Sequence, residues 1–200
     1  MVSVIGLTGG IASGKSAVSA MLKDLGAKVI NADLVSRQVV EPGKPAWQQI
    51  VDEFQESILN KDGTINRKKL GEIVFSDPAK LDRLNKITHP YIIAEIEQQI
   101  AEHRASGEGV LVLEAPLLLE LGLERMVDEV WVVAVKPEVQ LKRLMERDKL
   151  SVKEAQLRIE SQMPLEEKLK KADRVIDNSG TLQETWDQVE RIWSSLWNQP

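Results

Sequence analysis

The stretch Gly9-Gly10-Ile11-Ala12-Ser13-Gly14-Lys15-Ser16 constrains this chain more than any other. It follows a short apolar run, Val2 to Leu7. It precedes a helical spacing through Val18, Met21, Leu22 and Leu25 that Gly26 ends. GxxxxGK(S/T) between a strand and a helix is the sequence form of a loop that wraps phosphate. Its glycines let backbone N–H groups turn inward around phosphate oxygens, at a helix N-terminus whose dipole favours anions. Lys15 supplies a mobile cation for β- and γ-phosphates, and Ser16 a hydroxyl for Mg²⁺, which prefers hard oxygen ligands. Gly10, Ile11, Ala12, Ser13, Gly14, Lys15 and Ser16 are therefore candidate nucleotide-binding residues, with Ser16 the metal candidate and ATP and Mg²⁺ the expected ligands.

The rest of the chain places that loop in a fold. Ala27 to Ile30 reads as a second strand. From Asp33 to Ser106 no further strand is visible, and helical patterns follow one another: Leu34 to Val40, Ala46 to Phe54, Arg67 to Phe75, Lys80 to Ile87 and Tyr91 to Arg104. The Glu41-Pro42-Gly43-Lys44-Pro45 loop, the Lys61-Asp62-Gly63-Thr64 turn, and the Asp77-Pro78 and His89-Pro90 steps are read as breaks between them. Strand signals return at Val110 to Leu113, Val130 to Val135 and Arg174 to Ile176, each followed by a helical stretch. Alternation of this kind predicts an α/β fold: a doubly wound, five-stranded parallel sheet with helices on both faces. Ligands of such a sheet bind beyond the carboxyl ends of its strands. Leu182, Trp186, Val189, Trp193 and Leu196 keep helical spacing and predict a C-terminal helix docked on the core.

Composition narrows the partners. In 200 residues, 26 Lys and Arg face 31 Asp and Glu, a formal net charge of -5. Nucleic acid and anionic membranes both need a surplus of clustered cations, so neither is an expected partner. The absence of cysteine excludes a disulfide framework and thiolate chemistry, and agrees with a cytoplasmic location. The N-terminal apolar stretch lacks a basic flank and is too short for a signal segment, and no apolar run approaches the ~20 residues of a membrane span.

Other residues must decide the fate of the γ-phosphate. Neither Asn-Lys pair, at Asn60 and Asn85, continues as the guanine-reading Asn-Lys-x-Asp. A calcium loop around Asp62 would begin at Ile58 and end at Lys69, which excludes it. His89 and His103 are isolated from any second histidine, and His89 is read as a capping or packing residue. Asp33, just past the second strand, either accepts the proton of an acceptor hydroxyl, as catalytic aspartates do in phosphoryl transfer, or caps the helix starting at Leu34. Arg143 and Arg147 lie four residues apart on one helical face. There they either neutralise a transferred phosphoryl group from a movable lid or form a solvated face with Glu146 and Asp148. Arg67-Lys68-Lys69 likewise reads as a solvated helix start or as a contact for an anionic acceptor.

Taken in order, GLTGGIASGKS, VINADLVSRQVVEPG, the ITHP step, APLLLE, RLMERD and ADRVIDNSG closely resemble the dephospho-CoA kinase family over almost the whole chain. The resemblance implies transfer of the ATP γ-phosphate to the ribose 3′-hydroxyl of dephospho-CoA, the last step of coenzyme A biosynthesis. It also implies a nucleotide-binding core of about residues 1–32, 108–136 and 172–200, a helical CoA-binding insertion of about 33–107 and a lid of about 137–171. By motif position Thr8 and Asp33 would lie at the acceptor, with Arg37 and His89 on the same side. Lys15, Arg143 and Arg147 would act with Asp33 in catalysis, and Asn178 would lie near the adenine. Two positions depart from the family pattern: Asn31 stands where many members have Asp, and Glu114 stands where many have Asp. Glu114 either contacts the metal shell or caps a helix beginning near Leu117. The competing readings are another small-molecule or nucleotide kinase, and a P-loop ATPase switch.

Overall fold

The computed structural model describes residues 2–107 and 109–197. In chain order its strands and α-helices are β1 (Val2–Gly9), α1 (Lys15–Asp24), β2 (Lys28–Asn31), α2 (Ala32–Gln38), α3 (Pro45–Phe54), α4 (Arg67–Phe75), α5 (Pro78–Ser106), β3 (Gly109–Glu114), β4 (Glu129–Ala134), α6 (Pro137–Asp148), α7 (Val152–Glu160), α8 (Leu165–Lys170), β5 (Arg174–Asp177) and α9 (Leu182–Leu196). Two compact units result, one of Met1–Asn31 with Ile100–Pro200, the other of Ala32–Gln99.

The first unit holds the sheet. Its five strands run parallel in the order β2-β3-β1-β4-β5, so β1 lies in the middle and delivers the glycine-rich loop at its carboxyl end. Alternate residues of the strands turn to one face, where Ile5, Leu7, Val112, Val133 and Ile176 pack with Val18 and Leu22 of α1 and Val189, Trp193 and Leu196 of α9. Each such side chain contributes about 1.5–3 kcal/mol by leaving water. On the other face, Gly6 leaves room for Leu118, whose methyl would lie 2.7 Å from a Cβ at that position.

The second unit is helical and has its own core, Ile50, Phe54, Ile58, Leu70 and Val74, against which Leu81, Leu84 and Ile87 pack. Asn66 caps α4 by accepting from the Lys69 N–H at 3.1 Å.

Several local readings are corrected by tertiary context. The His89-Pro90 step does not break a helix, because α5 runs unbroken with Pro90 inside it. Interior proline costs about 3 kcal/mol. Here apolar residues are withdrawn from water on both sides of it, Leu84 and Ile87 partly buried against the helical core and Ile96 and Ile100 buried beyond, and they hold the helix together. No α-helix follows β3 at Leu117: the segment is a chain of turns ending in a 3-10 helix at Leu123–Met126. α2 starts at Ala32, so Asp33 sits inside its first turn, where its charge suits the dipole, and is not the N-cap of a helix starting at Leu34. In α9 the buried stripe begins at Thr185, and Leu182 in the first turn is 65% exposed.

Candidate active site

The register of the sheet assembles the site. Leu7 pairs with Glu114 and Glu114 with Asn31, so β3 and β2 finish level beside Leu7 while β1 runs on to Gly9. Consequently Asn31 donates its amide to Glu114 Oε2 at 3.1 Å, and Ser16, at the start of α1, donates its hydroxyl to Glu114 Oε1 at 2.9 Å. Glu114 is buried and its carboxylate is held by these two donors, so it caps no helix at Leu117. On the other side Ala134 pairs with Asp177, which brings Asn178 to the loop.

The loop itself turns through two left-handed residues. Gly14 has φ 89°, and an added Cβ would collide with Asn178 Nδ2. Ala12, with φ 57°, holds the same conformation at a cost of about 1–2 kcal/mol. Lys15 is buried and its ammonium donates to the carbonyls of Gly9 and Gly10 at 3.0 and 3.1 Å. Asn178, also buried, donates from Nδ2 to the Ser13 carbonyl at 2.7 Å and accepts from Thr185 Oγ1 at 2.9 Å. Its side chain is thus committed to bracing the loop. Thr8 is fully buried at the end of β1 and donates to the Pro116 carbonyl at 3.2 Å.

Helix α6 brings arginines to the same place. Arg143 Nη1 donates to the Asn178 carbonyl at 2.8 Å. Arg147 makes a two-pronged bond to Asp148, at 2.7 and 3.1 Å, and that carboxylate also receives Arg158 at 2.8 Å. These donors hold the Asp148 carboxyl below the usual carboxylate range, and its bonds raise Arg147. A cavity of about 650 Å³ is lined by Ala12, Gly14, Lys15, Ser16, Arg143, Glu146 and Arg147. The structure therefore gathers Lys15, Ser16 and both arginines around one space of ligand size.

Sequence reasoning did not single out Gln140 and Gln162. Gln140 Nε2 donates to the Ile11 carbonyl at 2.8 Å, and the Ile11 N–H donates to Gln162 Oε1 at 2.7 Å. Gln140 carries one retrospective signal, its place one turn ahead of Arg143 on the same helical face. Gln162, in the turn after α7, carries none.

In the helical unit Asp33 is exposed, and its carboxylate takes no hydrogen bond among the described residues. Arg37 lies in the last turn of α2 and its charge, after partial burial, lowers Arg67 from its ordinary value. Arg67 borders a cavity of about 190 Å³ whose walls include Val40, Ile50, Leu70, Leu84 and Ile92. His89 lies mid-helix in α5, where burial lowers its pKa.

A central parallel strand that ends in a phosphate loop, with lysine and serine at the start of the next helix, defines a P-loop nucleotide-binding protein, and the arginines over the loop place it among the phosphotransferases of that class. Comparison with known proteins makes this particular. The family model described as Dephospho-CoA kinase matches residues 3–184. A Carboxydothermus hydrogenoformans protein named Dephospho-CoA kinase is 52% identical over 94% of this chain and 92% of its own. Among solved structures, a Thermus thermophilus protein superposes with a TM-score of 0.83 at 31% identity, covering 97% of each chain. A dephospho-CoA kinase from Campylobacter jejuni superposes with a TM-score of 0.77 at 34% identity, covering 98% of each. The chain belongs to the dephospho-CoA kinase family. Among the described residues, no helix is long and apolar enough to cross a membrane.

Proposed function

We propose that this chain transfers the γ-phosphate of ATP to the ribose 3′-hydroxyl of dephospho-CoA, giving coenzyme A and ADP. The observation that carries the reading is the cavity in which Lys15 and Ser16 meet Arg143 and Arg147, in a chain of this family. The acceptor oxygen attacks the γ-phosphorus in line, the bond from that phosphorus to the β,γ-bridging oxygen breaks, and ADP leaves. Asp33, with its free carboxylate, takes the proton of the attacking hydroxyl. Lys15 exchanges the Gly9 and Gly10 carbonyls for phosphate oxygens, and the two guanidinium groups offset charge spread over the transferred group.

The donors at the loop fit Mg²⁺. The Ser16 hydroxyl and the Glu114 carboxylate are hard oxygens 2.9 Å apart, and no cluster of three or more His, Cys, Asp or Glu among the described residues competes for a metal. Ser16 would bind the ion directly and Glu114 would hold its water shell, in place of the Asp common at that position. Bound there, Mg²⁺ would neutralise β- and γ-phosphate charge. On the acceptor side, the helical unit offers an apolar cavity bordered by Arg67, with Arg37 nearby. This suits a ligand that joins a flexible apolar arm to phosphates.

Incubation with Mg-ATP and a panel of dephospho-CoA, adenosine, nucleoside monophosphates and pantetheine phosphate tests the reading by mass spectrometry of the products. Phosphate should appear on dephospho-CoA, and ADP release should depend on it. Lys15→Ala should lower turnover at least about 100-fold with the fold intact by circular dichroism. Phosphorylation of another member of the panel in preference, or acceptor-independent ATP hydrolysis, would refute it.

A further inference from the structure

Ile11 is held from both sides. Its N–H donates to Gln162 Oε1 at 2.7 Å, and its carbonyl accepts from Gln140 Nε2 at 2.8 Å. The chemistry of the backbone fixes the roles: Gln162 must act as acceptor and Gln140 as donor. Both side chains are half-buried, and water would satisfy the same Ile11 groups if either were lost. The two bonds therefore add little to stability, and what they determine is position.

Three facts say what is positioned. Gln140, Arg143 and Arg147 follow one face of α6, so anchoring Gln140 on the loop fixes the height of both arginines above it. Gly10 carries no side chain where a Cβ would stand 2.6 Å from Gln140 Nε2, with only the Gln140 and Gln162 amides within 4 Å. The glycine leaves the space through which Gln140 reaches Ile11. Beyond Gln162, the buried Lys168 donates to Glu120 at 2.7 Å and to the Pro116 carbonyl at 3.2 Å, and Met163 N–H donates to the same Glu120 at 3.3 Å. The chain that presents Gln162 is itself fastened to the segment after β3.

We propose that Gln140 and Gln162 are positioning residues, a two-sided clamp on Ile11 that locks the first half of the phosphate loop to helix α6 and so sets where Arg143 and Arg147 stand over Lys15. This rests on the phosphoryl-transfer reading above.

Two isosteric substitutions separate the clamp from general packing. Gln162→Glu keeps an acceptor opposite the Ile11 N–H, whereas Gln140→Glu sets a carboxylate against the Ile11 carbonyl. Both add one negative charge beside the same loop, so the difference between them reports the hydrogen bond. The readouts are melting temperature, calorimetric affinity for a non-hydrolysable Mg-ATP analogue, and kcat and KM for ATP with dephospho-CoA as acceptor. Gln140→Glu should fall about 10-fold or more below Gln162→Glu in kcat/KM for ATP and bind the analogue more weakly, at equal melting temperature. Gly10→Ala should reproduce the Gln140 loss, since its methyl would displace the Gln140 amide and stand at ordinary contact distance, 4.0 Å, from Gln162 Oε1. Gln140→Met combined with Arg143→Lys should lose less than the product of the single losses, because both act on one arrangement. Equal effects of the two glutamates, or fully multiplicative losses in the double variant, overturn the clamp. Failure of the wild-type chain to phosphorylate dephospho-CoA would instead sink the functional reading, and the analogue affinities would still decide the clamp.

Discussion

Truncating Asn178 should unfasten the phosphate loop, and the cost follows from its two side-chain bonds. The single proton of Thr185 Oγ1 has two acceptors in reach, Asn178 Oδ1 at 2.9 Å and the Thr181 carbonyl at 3.1 Å, so it keeps a partner when Asn178 is lost. The Ser13 carbonyl receives Asn178 Nδ2 at 2.7 Å and has no second donor among the described residues. Asn178→Ala therefore strands one acceptor in a buried place and leaves a small void, together about 2–3 kcal/mol. For a chain of 200 residues this lowers the melting temperature by about 5–10 °C. Asn178→Asp sharpens the test. It still accepts from Thr185 but turns a carboxylate toward the Ser13 carbonyl, so it should be less stable than Asn178→Ala. ATP affinity should fall about 10-fold in both, because Ser13 leads directly into Gly14 and the helix start. Scanning calorimetry and ATP titration on the same preparations check this. An unchanged melting temperature with weakened ATP binding would make Asn178 a nucleotide contact and refute the brace, as would an aspartate variant more stable than the alanine.

Asp33→Asn should leave stability within about 0.5 kcal/mol, since the carboxylate is exposed and unbonded, and should leave ATP binding intact while turnover falls at least about 100-fold; near-normal turnover would remove it from the proton transfer. Arg147→Lys should lower the catalytic rate more than it weakens ATP binding, because lysine lacks the planar fork; equal losses would assign Arg147 to ground-state binding, and none would leave only its surface pair with Asp148. Burial lowers the pKa of His89, so the unfolded chain binds that proton better than the folded one. Its stability contribution is complete above the unfolded value of about 6.5 and declines as pH falls through the folded value. His89→Gln should flatten the loss of stability between about pH 7 and 5 in urea titrations, and an unchanged slope would contradict the assignment.

What was legible in the sequence is what depends on neighbours in the chain. The phosphate loop is eight consecutive residues between an apolar run and an amphipathic helix, and each β-strand announces itself by a short apolar run, so the parallel sheet and its loop could be read directly. Elements failed where distant packing decided. The proline rule predicted a break at His89-Pro90, but α5 has apolar residues packed on both sides of Pro90, partly buried before it and buried after it, and the gain from keeping both in place exceeds the local cost. A helix is expected after β3, beginning near Leu117. The stretch is instead bounded by Pro116 and by Gly122 in a left-handed conformation, and Leu118 is drawn under Gly6 of the central strand.

The site shows the same division within a single motif. Gly10 and Gly14 look alike in the sequence, and one argument, close approach of backbone to phosphate, covers both. Their surroundings differ. Gly14 requires the left-handed backbone and clearance for Asn178, a residue far along the chain that arrives only because β5 pairs with β4. Gly10 has no positive φ and leaves room for the Gln140 amide. That reason is invisible locally, because the partners of Ile11 lie 129 and 151 residues away, and only Gln140, one turn ahead of Arg143, shares a face with residues the sequence singles out. A motif residue can thus be chosen by a neighbour outside the motif. Comparing Gly10→Ala with Gly14→Ala follows: the first should act through Gln140 alone and spare stability, while the second should strain the backbone, displace Asn178 and lower the melting temperature.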